Sequence, residues 1–196
     1  MNQLSVIHAL LGRLSLWAVW VGGAALLLSA IMVTVDVLAR KLFSITMSGS
    51  DEITGYVFAG ATTWAYAYCL LHRSNIRIDA LYNLLPQRAR ALLDIVGLLL
   101  LFGYMAFLTS KATTVFITSW ERDSVSISTL ALPLWIPQLI WLAGLIFFNI
   151  TLIFLIVHAV LSWFVGGSAA VQRLVGTLSV QEEIAEGTSG IREIDR

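Results

Sequence analysis

Charge is scarce in this 196-residue chain: 12% of residues are charged, against about a quarter in ordinary soluble domains, so a water-soluble globule is excluded as a starting class. Neither sign is in excess. Twelve basic residues balance twelve acidic ones, leaving no net field to attract nucleic acid. A single cysteine, Cys69, excludes an internal disulfide and any cysteine-only metal cluster, and reads as a small apolar residue near a helix end. Zinc-ligand spacing, a nucleophile beside a base, a phosphate-cradling glycine loop and paired buried carboxylates are all missing, so no catalytic role, cofactor or metal is expected. Proline is confined to Pro86 and Pro133, each at an expected helix start, and Pro137, which sits in a first turn or marks a short break before the main span.

What is present is apolar length. Hydrophobic residues make up 58% of the chain and gather into long runs with charge at their ends. Four runs are long enough for a bilayer of roughly 30 Å, predicting an all-α integral membrane protein with transmembrane helices at about 14–38, 53–71, 91–115 and 134–165, arranged as two hairpins. The run at 14–38 exceeds a signal-peptide core and is read as a mature span. Leu4, Ile7, Leu11 and Leu14 recur at helical spacing, so residues 1–13 form either a short interfacial helix or an extension of the first span. Residues 109–120 are too polar for lipid alone but hold no proline or glycine, so the third helix is expected to continue past Lys111. The fourth run would measure about 48 Å as a helix and must tilt, break or protrude. Gly166, Gly167 and Ser168 close it, and residues 166–196 are expected to be a flexible cytoplasmic tail. Basic residues flanking the runs favour both termini in the cytoplasm.

Certain residues stand out as site candidates. Asp36 and Arg40 are four apart with the acid first, the favourable order on one helix face. Arg40 ends one span and Glu52 begins the next, so a salt-bridge cluster with Asp36 is expected to fix the first hairpin or a partner, against the plainer reading of solvated charges worth about 0–1 kcal/mol. Gly55, Ala59, Thr63 and Ala67 recur every four residues and form a small-residue ridge where another backbone could approach, either a partner's or that of the chain's own first or third span. Arg73, Arg77 and Asp79 mark the polar elbow between the hairpins, to be held by a partner or by lipid headgroups unless it is an ordinary charged loop. Asn149 lies in mid-span, where such a side chain usually hydrogen-bonds to another helix. His8, His72 and His158 fall toward one end, which raises a rival reading as a four-helix cytochrome b-type subunit if two of them face each other. A second rival, an autonomous homodimeric transporter, lacks mid-membrane ionisable groups or broken helices.

Several of these pieces resemble one family, the small permease subunit of the tripartite ATP-independent periplasmic (TRAP) transporters. The stretch from Asp36 to Phe43, with Arg40 and Phe43, is similar to the family's Arg-aromatic-x-Phe end of the first span, followed by an acid, here Glu52. The elbow resembles a basic-x-x-His-Ile-Arg-Val-Asp segment through Arg73, Asn75, Ile76, Arg77, Ile78 and Asp79, with Leu85-Pro86 following. Ala131-Leu132-Pro133-Leu134-Trp135 enters the last span as in the family. Asn75 replaces the usual histidine, and Trp141 a small or proline-containing turn. The resemblance implies a bacterial inner-membrane subunit without chemistry of its own, bound to a large multi-span permease subunit. In such transporters a periplasmic solute-binding protein captures an organic, often carboxylate-bearing solute that a sodium gradient drives inward, and the small subunit enlarges the stationary scaffold. Membrane lipids are the other expected partners; nucleic acid is not.

Overall fold

The computed structural model describes residues 3–73, 85–128 and 130–176, and among them every regular element is a helix. The first, α1, runs unbroken over Gln3–Phe43. Its 41 residues extend about 62 Å at 1.5 Å per residue. The N-terminal segment is therefore not a separate interfacial helix: the first span simply continues into it, with Leu11 and Ser15 buried on the way. Ser44 adopts a left-handed conformation and its N–H closes on the Arg40 carbonyl, ending α1.

After a short link, α2 spans Ser50–Leu71 and carries Asp51 and Glu52 in its first turn, where they face the positive end of the helix dipole. Arg73, also left-handed, follows its C-cap His72. Pro86 caps α3, Gln87–Glu121, as its fixed φ favours. This helix does pass Lys111, because its hydroxyls turn inward: Thr109, Thr113, Thr114 and Thr118 each donate to the carbonyl four residues earlier. Satisfied in this way, a threonine-rich stretch adds no unpaired polar group to an apolar surrounding.

The last helix, α4, covers Trp135–Val175. Pro137 sits in its first turn without breaking it. Gly167 does break it, with φ 67° and ψ −164°, a conformation that only glycine adopts readily. Residues 168–175, expected within a flexible tail, are instead helical and packed. Val171 and Val175 are buried, and Gln172 Nε2 donates to the Gln87 carbonyl at 3.3 Å, at the start of α3. Two valines one turn apart bury an apolar edge that a fully solvated tail would expose.

The helices stand in a row. α1 packs on α2, α2 on α4, and α4 on α3. Gly22 admits Ala61 between α1 and α2, where an added Cβ would lie 3.1 Å from the Ala61 Cβ. Thr63 lies so close to Gly144 that a Cβ there would fall 2.5 Å from its Oγ1. Leu98, Met105, Leu145, Leu152 and Leu155 form the main core between α3 and α4. Among the described residues three helices, α1, α3 and α4, are long and apolar enough to cross a membrane. The second expected span, α2, falls short of them in hydropathy because Gly55, Tyr56, Gly60, Thr62, Thr63 and Tyr66 dilute its apolar residues. Burial differs along the row: 44% of the most apolar stretch of α4 is inside, but only 6% of that of α1.

Candidate functional site

The densest polar cluster forms where α1 turns into α2. Asp36, in the last two turns of α1, is only 1% exposed, so its carboxylate needs donors on every side. It has three: Arg40 Nη2 at 2.6 Å and Ser50 Oγ at 3.0 Å on Oδ2, and the Met47 backbone N–H at 2.6 Å on Oδ1. One side chain thus ties together the end of α1, the link and the first residue of α2.

The expected Arg40–Glu52 pair is not formed. Arg40, half-exposed, turns to Asp36 one helical turn back, the partner its own helix already holds within reach. Glu52 faces the other way. Its carboxylate accepts from the Tyr56 hydroxyl, and the hydroxyls of Ser128, foremost, and Ser126 on the loop between α3 and α4, themselves joined at 3.0 Å, help to hold the carboxyl below the usual range. That loop is itself folded by Ser126 N–H to the Leu132 carbonyl, Leu134 N–H to the Ser124 carbonyl and a bridge between Val125 and Pro133. Leu130 also covers Gly49, which has φ 94° and no room for a Cβ. Both inter-helix links at this end are therefore fastened to each other, with Glu52 as the polar clasp and Gly49–Leu130 as the apolar one.

The small-residue ridge divides. Thr63 and Ala67 are buried, and Thr63 packs on Gly144 of the chain's own α4, not on its first or third span. Gly55 is exposed with open space above it, and Ala59 is half-buried. The reason is angular: residues four apart advance by about 40° beyond a full turn, so a ridge from Gly55 to Ala67 winds by roughly 120° around the helix. The buried small face is Gly60, Thr63 and Ala67.

Asn149 meets α3 as such a residue should: Nδ2 donates to Thr109 Oγ1 at 2.8 Å and to the Leu145 carbonyl at 2.9 Å, while Oδ1 is buried without a partner. Arg73 is half-buried at the end of α2; Arg77 and Asp79 lie outside the described residues. His8 and His158 do come together, with ring centroids 6.4 Å apart and Phe154 against both, but among the described residues no three His, Cys, Asp or Glu side chains are placed to hold a metal.

Sequence reasoning missed Ser50, Tyr56, Ser126 and Ser128. The Glu52–Tyr56 spacing of four was visible, whereas serines more than seventy positions away carry no signal of their own. It also missed Asp94, a buried acid on α3 whose place inside an apolar run was visible in the sequence.

Residues 29–165, more than two thirds of the chain, match the family model described as Tripartite ATP-independent periplasmic transporters, DctQ component. No curated protein and no solved structure matches the chain.

Proposed function

Because the chain belongs to the DctQ components of the tripartite ATP-independent periplasmic transporters and is thus the small membrane subunit of such a system, we propose that its task is to bind and brace the large permease subunit. The complex takes up an organic, carboxylate-bearing solute delivered by a periplasmic binding protein and driven by sodium. In this reading α2 is the fourth span, sheltered between α1 and α4 where its modest hydropathy is tolerated. The helices pair as two antiparallel hairpins in the inner membrane with both termini cytoplasmic, and the clasped links face the periplasm.

The observation that carries the proposal is the row itself. Four helices side by side present two broad faces, and α1, at the edge of the row, packs on α2 while only 6% of its most apolar stretch is buried. Transporters that work alone build their sites from broken helices and ionisable groups at mid-membrane. Here the mid-span polar group of α4, Asn149, is spent on joining α3 to α4. A bare edge helix and clasped links suit a rigid buttress.

The test is reconstitution. A tagged copy of the chain should retain the large permease subunit through purification. Vesicles holding both should take up solute when given the binding protein and an inward sodium gradient, and vesicles holding this chain alone should not. Uptake by the chain alone would refute the proposal.

A further inference from the structure

A groove of about 610 Å³ runs between α1 and α4 with α2 as its floor, because those two helices each pack on α2 and hardly on each other. Along α1 it extends from Leu14 to Ala25, about 16 Å at 1.5 Å per residue. That is close to half of a roughly 30 Å hydrocarbon core. Its volume falls within the roughly 300–1,000 Å³ of sites that hold one small ligand. Two of the polar side-chain groups in its walls are already used: Trp64 Nε1 donates to the Ile140 carbonyl, and the Tyr56 hydroxyl to Glu52. With Trp17, which is 69% exposed, adding the remaining indole N–H, the lining is otherwise apolar and suits a hydrocarbon occupant, which brings no polar group of its own to be left unpaired.

One end of the groove is charged. Arg13, exposed, lies one turn before Trp17 on the face that Trp17 and Val21 present to the groove. Arg73 follows the end of α2 at the same level. The acids of these two helices, Asp36, Asp51 and Glu52, all lie at the opposite end. A cationic mouth above an apolar slot one leaflet long complements an anionic phospholipid. A partner helix crossing the bilayer would need a groove of twice this length.

We propose that this groove holds an acyl chain of an anionic phospholipid from the leaflet on the N-terminal side, its phosphate paired with Arg13. The site rests on the chain's place in the membrane and is independent of how the large subunit is bound.

The test uses the assembled transporter in lipid nanodiscs, with phosphatidylglycerol or phosphatidylethanolamine carrying a photoactivatable group on the acyl chain. Label is expected on α1 and α2 residues of the groove at several times the level found at exposed Leu27 and Leu28, and more from the anionic lipid. Ala18→Phe, which fills the slot, should bring groove labelling down to that background. Arg13→Gln should keep the label but cut the preference for the anionic lipid about fivefold, as expected for one basic residue at a membrane surface. Competition by unlabelled phosphatidylglycerol on the unaltered protein gives the same readout if Ala18→Phe does not assemble. Uniform labelling around α1 would overturn the site, as would a photo-crosslinker at Ala18 that captures the large subunit instead of lipid. Absence of groove labelling in the unaltered complex, with co-purification intact, would sink the lipid site and leave the bracing role standing.

Discussion

Removing the Asp36 carboxylate should be the most damaging single change at the clasped end, and the size of the loss follows from what it holds. Asp36→Ala deprives the Met47 N–H and the Ser50 hydroxyl, the latter almost fully buried, of a charged acceptor. Hydrogen bonds to charged groups contribute about 1.5–3 kcal/mol each, so these two together come to about 3–6 kcal/mol. The Arg40 bond adds little, because 52% of that side chain is exposed and such pairs are worth about 0–1 kcal/mol. The expected order of cost is Asp36→Ala, then Ser50→Ala at about 1–3 kcal/mol, then Arg40→Ala at under about 1 kcal/mol. Thermal unfolding of the purified protein in detergent, followed by tryptophan fluorescence, would read this as a fall on the order of 10 °C for Asp36→Ala. A loss from Arg40→Ala equal to that from Asp36→Ala would refute the reasoning, since it would make the exposed ion pair, and not the buried acceptor, the source of the stability.

Other outcomes follow from the same geometry. Gly144→Ala should cost about 1–3 kcal/mol, because its Cβ would meet Thr63 and Trp64 at under 3.0 Å, and Thr63→Ala should recover part of that loss in a double-mutant cycle of the same unfolding measurement. Asn149→Leu should be mild, about 0.6 kcal/mol, since one interhelical hydrogen bond is lost while an unpaired buried oxygen goes with it. Glu52 has a folded-state pKa below its ordinary value, so the folded form binds fewer protons; its contribution is full above about pH 4.3 and fades as pH falls through the lowered value. Spin labels on the two links should therefore separate on acidification toward pH 3, and Glu52→Gln should flatten that response.

Local chemistry read along one helix was legible in the sequence. The Asp36–Arg40 pair, the helix start at Pro86, the passage of α3 beyond Lys111 and the bond from Asn149 all follow from spacing within a segment or from the cost of an unpaired polar group. What needed the folded chain was direction. Glu52 could have met Arg40 as far as spacing goes, and only the placement of the loop carrying Ser126 and Ser128 decides against it. The ridge of small residues failed for a related reason: a four-residue repeat looks like one face on paper but spirals away from it in three dimensions. Gly167 was read as an end, yet a glycine that stops one helical axis also lets the chain begin another, and the valines beyond it find the core.

The two links are stapled at one extremity only. At the far extremity the His8 ring of α1 meets Phe154 and His158 of α4, while Ala67 and Leu70 of α2 share the core with Leu152, Leu155 and Ala159. The riveted tips hold their spacing through two loop contacts, Glu52 with the serine-bearing loop and Gly49 with Leu130, in addition to helix packing. Any partner landing on the riveted tips would therefore meet a surface whose shape is set by these two contacts.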